Sequence, residues 1–199
     1  MNKPKFAKID NVMYKINTDF RVAIECDAIA RNTDIGEYER ALAIIYKLFG
    51  KEGLECRDRN KILNIAMKYI SLGEPKEKGQ IQENNKYKLD FNKCKGLISS
   101  SFKFDYNYDP YELEYLHWYD FYNDLENLSS NEFGTCCVLN RIINLFNYDT
   151  STIKDNKERT KINKAKEELR KKYCYIEEPK MTKEQEESVN EFYKALGII

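Results

Sequence analysis

The stretch Asp109–Leu128, DPYELEYLHWYDFYNDLENL, constrains the fold most, because its rings must be covered by something. Asp109 can cap a helix, Pro110 suits a first turn, and Glu112 can reach back to close a capping box. Tyr111, Tyr115, Trp118, Tyr122 and Leu125 then recur at spacings of four, three, four and three, which makes one stripe flanked by Tyr119 and Phe121. Asp120, Asn123, Asp124 and Asn127 gather on the opposite, wet side. Rings of this size bury on the order of 150–250 Å² each. The stretch therefore reads as a central helix whose stripe needs a core or a partner.

The remaining segments supply the cover. FAKIDNVMYKI, residues 6–16, reads as a hairpin turning at Asp10-Asn11, a pair that tolerates positive φ. Thr18 is placed to cap a helix running to about Arg31, with Phe20, Ala23, Ile24, Ile29 and Ala30 apolar. Asp34 and Glu37 form a second capping box, opening a helix to Phe49 that Gly50 stops; Ile35, Tyr38, Leu42, Ile45 and Phe49 are its expected inward stripe. Asp58 begins a third helix with Ile62, Ala66, Tyr69 and Ile70 facing in, closed by Gly73 and Pro75. Residues 74–88 are polar and read as a surface loop. Asp90 is expected to cap a fourth helix carrying Phe91, Cys94, Ile98 and Phe102.

After a connection over Ser129–Thr135, Cys137, Val138, Ile142, Leu145 and Phe146 mark the helix that follows the aromatic one. Asp155–Lys172 is strongly helical but almost entirely charged, as expected of a solvated or bridging helix. Thr182 and Gln185 cap a last amphipathic helix with Val189, Phe192, Tyr193 and Leu196 on one side. The count predicts an all-α protein, an irregular bundle of about seven or eight helices with a short N-terminal β-hairpin. Residues 1–178 form the expected helical domain, and 179–199 a C-terminal helix that docks separately on this or another subunit.

Several classes of function find little support. Lysine plus arginine equals aspartate plus glutamate, 33 against 33, so no global charge points to nucleic acid or an anionic membrane. No apolar run is long enough to span a bilayer, and the N-terminus lacks the apolar middle of a signal peptide. Cys26, Cys56, Cys94, Cys136, Cys137 and Cys174 are scattered without a CxxC pair, which suits small core residues of a reduced protein better than a metal site. The one histidine, His117, falls at the edge of the polar face of the aromatic helix, where a structural role is expected. Glycines are isolated, so no phosphate-binding loop is recognisable. The expectation is a non-enzymatic protein without cofactor or metal.

Three phrases, INTDFRVAIECDAIA from Ile16, YERALAIIYKLFG from Tyr38 and LHWYDFYNDLENL from Leu116, together resemble the tail assembly chaperones of long-tailed phages and prophages. The segment IKDNKERTKINKAKEELRKKY from Ile153 fits the same pattern, and the resemblance covers most of Ile16 to Tyr173. Relatives often carry two tryptophans where this chain has Trp118-Tyr119. The resemblance implies a helical protein, encoded just before the tape measure protein, that keeps the tape measure soluble in the cytoplasm of the bacterial host. The chaperones would later give way as major tail protein subunits polymerise around that ruler. An aromatic groove at Tyr115, Trp118 and Tyr122 is the contact site expected on this reading, and self-association is an open expectation. The alternative is a structural or adaptor component retained in the tail or its connector.

Overall fold

The computed structural model describes residues 3–72, 89–129 and 137–175. Among them are a two-stranded hairpin, β1 (Phe6–Ile9) and β2 (Val12–Lys15), and seven helices: α1 (Phe20–Arg31), α2 (Glu37–Leu54), α3 (Arg59–Ile70), α4 (Lys95–Tyr106), α5 (Trp118–Glu126), α6 (Val138–Asn147) and α7 (Asn156–Tyr173). The protein is thus mainly helical with an N-terminal hairpin, as the pattern predicts. The expected 74–88 loop, the stop at Gly73 and Pro75, most of the 129–135 connection, Cys136 and the 179–199 helix lie outside the described residues.

The hairpin turns where its sequence says it should. Asp10 and Asn11 adopt φ of 46° and 66°, the left-handed pair of a tight two-residue turn. Phe6 pairs with Lys15, Ala7 with Tyr14 and Ile9 with Val12. Ala7, Ile9 and Tyr14 are buried, with β1 packed on α3 and β2 on α2. Such a pair of strands is marginal alone and depends on those helices.

Helix starts follow local caps with small shifts. The cap of α1 is Asp19 rather than Thr18; its carboxylate accepts from the Arg21 N–H at 2.9 Å and holds the Arg21 guanidinium. Asp58 caps α3 by accepting from the Lys61 N–H, as expected. Asp90 serves the turn before α4, accepting from the N–H groups of Asn92 and Lys93, and the helix itself starts at Lys95. The expected Asp34–Glu37 capping box does not form: Gly36 occupies the cap position of α2 with no side-chain bond. Gly50 does break the helical run where expected, at φ 67° and ψ −156°, a conformation open almost only to glycine, but a further helical turn follows the kink to Leu54.

The inward face of α2 agrees with expectation at Ile45 and Phe49 and departs from it in the residues before them. Ile44, Ile45, Leu48, Phe49 and Gly53 are buried, whereas Ile35 and Tyr38 are exposed and Leu42 half-exposed. Residues 41–49, ALAIIYKLF, are apolar on most sides, so two helical registers fit the sequence. Packing on α1, α3 and β2 selects the one through Ile44 and Leu48. On α6 the neighbours likewise exchange roles, with Leu139 buried and Val138 exposed.

The aromatic stretch departs most from prediction. Asp109 begins a turn, not a helix, with the Glu112 N–H donating to its carbonyl at 3.2 Å. Its nearly covered carboxylate accepts from Ser99 Oγ, the Tyr111 N–H and Lys103 Nζ, so α4 uses the group that a capping box would have needed. Residues 113–117 run irregularly, and α5 begins only at Trp118. It packs on α1 and α4; α4 packs on α6, and α6 on α7. Phe121, expected on the flank, is the centre: it stacks on Phe20 of α1 at 4.4 Å, on Phe102 of α4 at 5.5 Å and on Trp118 at 5.9 Å. So α5 is the bridge between the hairpin side and the α4–α6–α7 side of the core.

Candidate partner-binding surfaces

The entry to α5 is tied to the entry of α1. The Phe20 N–H donates to the Leu116 carbonyl at 3.0 Å and the Trp118 N–H to the Thr18 carbonyl at 2.8 Å, an antiparallel bridge between two helix starts. Arg21 closes it by donating to the carbonyls of Leu113 and Glu114 while held by Asp19. Of the three rings expected in one groove, Trp118 and Tyr122 touch, and the three differ in exposure. Trp118 is 3% exposed, lies edge-on to Phe91, and donates its indole N–H to the Ile70 carbonyl at 3.2 Å. It belongs to the core. Tyr122 is half-buried and edge-on to Trp118 at 5.4 Å. Tyr115 precedes the helix, 52% exposed, with its hydroxyl 2.6 Å from Thr18 Oγ1.

His117 is likewise not at a wet edge. It is 5% exposed, and its Nδ1 accepts the Tyr119 N–H at 3.1 Å, making it the cap of α5. Capping through Nδ1 requires that nitrogen unprotonated, which leaves the proton on Nε2. Among the described residues neither Nε2 nor the buried Tyr69 hydroxyl makes a well-formed hydrogen bond, and the Tyr69 ring lies edge-on to the imidazole at 6.5 Å. Burial depresses the His117 pKa, with Asp120 opposing weakly. No cysteine among the described residues bonds to it, and the five described cysteines are buried free thiols. Burial pushes the thiols of Cys26 and Cys94 up to about 12, which keeps them protonated near neutrality and poorly nucleophilic. Among the described residues no group of His, Cys, Asp and Glu is arranged to hold a metal ion.

Exposed apolar side chains, rather than reactive ones, stand out. Tyr38, Leu42 and Tyr46 follow one another at spacings of four along the outer side of α2, and Ile35 lies just before its start. Tyr38 is 59% exposed and Tyr46 49%, and none of the four belongs to the core or packs against it. Tyr38 is held in place by Arg59, whose guanidinium donates to the hydroxyl at 2.7 Å. The hairpin adds Phe6 and Met13, exposed on its outer face beside Lys8 and Lys15. Sequence reasoning put Ile35, Tyr38 and Leu42 on an inward stripe with Ile45 and Phe49, of which only the last two are buried, and did not single out Tyr46. The exposure of the others was not readable, because the neighbouring Ile44 and Leu48 compete for the same role.

A mainly helical fold built on a closed aromatic centre, with apolar side chains left outside it, is the class of protein that the structure defines. No helix among the described residues is long and apolar enough to cross a membrane. The family of the Bacteriophage Gp15 protein matches residues 3–170, and the chain belongs to that family of phage proteins. Neither the curated proteins nor the solved structures contain a significant match.

Proposed function

We propose that the chain is a non-enzymatic tail assembly chaperone that holds the tape measure protein soluble in the cytoplasm of the bacterial host until major tail protein replaces it. Membership of a phage family and the order of the phrases around Ile16, Tyr38 and Leu116 support this reading. The observation that carries it is the stripe Tyr38, Leu42 and Tyr46, with Ile35 just before it, outside the core. A holder of amphipathic helices needs apolar anchors at helical spacing on an accessible face. Tyrosine suits the task, since its ring gives large contact area at small entropic cost and its hydroxyl stays wet. The Arg59 bond to Tyr38 fixes one ring before binding, which lowers the ordering cost further. Affinity per site can be modest, because several copies along one elongated chain multiply it. Tyr115 and the exposed edge of Tyr122 are secondary contacts on this reading; Trp118 acts by holding α5 in place.

The test is co-expression with the tape measure protein and a measurement of its soluble fraction. Wild type should raise that fraction, and Tyr38→Asp with Leu42→Asp should abolish the gain at unchanged melting temperature. A tape measure that precipitates equally with and without the wild-type chain overturns the proposal. Recovery of the chain from purified finished tails would instead favour a structural or adaptor component.

A further inference from the structure

We infer that the outer edge of β1, with the lysine-lined groove beside it on α3, receives an extended acidic segment of another protein as a third strand. The register leaves that edge open. Ile9 and Val12 flank the two-residue turn, Ala7 lies opposite Tyr14, and the Ile16 N–H donates to the Lys5 carbonyl at 2.9 Å. Lys5, Ala7 and Ile9 are therefore the residues that bond to β2, and the alternation aims the N–H and C=O groups of Phe6 and Lys8 the other way. Those groups have no hydrogen-bond partner among the described residues. Upstream, the Lys3 ammonium is held by Asp120 of α5, so the open part runs from Phe6 towards the turn.

The neighbour of this strand on its far side is a helix. Strand β2 lies against α2 and β1 against α3. Lys61, Ile65 and Lys68 recur at spacings of four and three on one face of α3, and with Lys8, Ile9 and Asp10 they line a groove of about 390 Å³. The three lysines are exposed and Ile65 is half-buried. The one carboxylate in the groove, Asp10, is already taken by Lys61 Nζ at 3.0 Å, and Lys61 also pairs with Asp58. Lys8 and Lys68 have no ion pair among the described residues. Phe6, 53% exposed, shares the outer face of β1 with Lys8 and adds a ring beside the open edge. Positive charge and unpaired backbone groups thus stand side by side.

Together these two features select the occupant. Alternating donors and acceptors are matched by the backbone of an extended peptide, whereas the phosphates of a nucleic acid only accept. A carboxylate on that peptide would stand opposite Lys8 at a cross-strand distance of about 4.5–5.5 Å. A second copy of this chain fits worse. Edge-to-edge pairing of two β1 strands would set the free lysines of both copies against each other, which is how edge lysines keep like strands apart. The site shares no residue with the stripe on α2, and the inference does not depend on the chaperone reading.

The test is fluorescence anisotropy of the full chain with a short labelled peptide that alternates glutamate and threonine. That peptide should bind saturably, and its counterpart with lysine in place of glutamate should not. Methylating every backbone nitrogen of the glutamate peptide removes its donors and keeps its charge, and should weaken binding by about tenfold or more. Lys8→Glu with Lys68→Glu should weaken it to a similar extent. Lys8→Pro should weaken it more than Lys8→Ala, because proline also removes an outward N–H while leaving the bonds to β2 intact. Melting temperatures check that each variant folds, and the methylated peptide needs no variant at all. No binding of the glutamate peptide at millimolar concentration would overturn the proposal. So would equal binding of the methylated peptide or of a short single-stranded DNA, since charge alone would then be acting. Tape measure solubility enters none of these readouts, so a failure here leaves the chaperone reading to its own test.

Discussion

Replacing Trp118 by alanine should cost about 3–5 kcal/mol, the range for deleting a large buried ring. The environment points to the upper part of it. The indole is 3% exposed, stacked on Phe121 at 5.9 Å and met edge-on by Phe91 and Tyr122 at 6.2 and 5.4 Å. Its removal also strips the Ile70 carbonyl of a donor, and an unpaired buried acceptor is itself worth on the order of 1–3 kcal/mol. A chain of this size loses roughly 2–4 °C of melting temperature per kcal/mol, so the melt should fall by roughly 6–20 °C. Against a total stability of about 5–15 kcal/mol, the variant would sit close to its unfolding threshold. Trp118→Phe should cost roughly 1–2 kcal/mol, since it keeps a ring on Phe121 but loses the hydrogen bond. Urea melts followed by circular dichroism give both values; in the wild type the single tryptophan doubles as a fluorescent reporter of the same site. A loss below about 1 kcal/mol for the alanine variant would refute the central role given to α5.

Other perturbations separate causes that one substitution would mix. His117 has a depressed folded pKa, so the unfolded chain takes up the proton first as pH falls; stability should be level above about 6.5 and decline below it, and His117→Asn, which keeps a cap acceptor, should flatten that decline in urea melts at stepped pH. A second acid loss should come only below about pH 4. There Asp109 loses its place: burial raises its pKa, but bonds from Ser99, the Tyr111 N–H and Lys103 outweigh that and hold it low. Gly50→Ala should cost about 1–3 kcal/mol despite open space around it, because φ of 67° strains any side chain, whereas Gly96→Ala, in α4 with nothing within 4 Å and no positive φ, should add up to about 1 kcal/mol. Gly53→Ala should destabilise for a different reason, its new Cβ lying 2.5 Å from Phe49 Cβ.

The readable parts of the fold are those fixed by neighbours in sequence. Asp10-Asn11 needs only its own backbone to turn, Asp58 needs only the N–H of Lys61, and the charged run after Asp155 is helical from its first cap to Tyr173. The unread parts are those where one group had two possible partners. Asp109 and Pro110 suit a helix start and a turn equally, and the decision came from Ser99 and Lys103 on the preceding helix α4, which take up the carboxylate. His117 looked peripheral on a wheel drawn from Asp109, but with α5 starting at Trp118 it becomes a buried cap.

The exposed stripe proposed as the contact surface was hidden by the same logic. Periodicity says that a stripe is apolar; it cannot say whether the cover is the chain itself or another molecule. In α5 the cover is Phe20, Phe91 and Phe102, so Trp118 became core. In α2 the core took Ile44 and Leu48 and left Tyr38 and Tyr46 outside. That separation has a functional consequence. Were the binding rings also the core rings, every contact mutant would lower stability, and binding would compete with folding. With the stripe outside, Tyr38 and Leu42 should govern tape measure solubility at constant melting temperature, while Trp118 should govern melting temperature and affect solubility only through the folded fraction. Solubility that tracks melting temperature across all three positions would mean that the core itself opens to its partner.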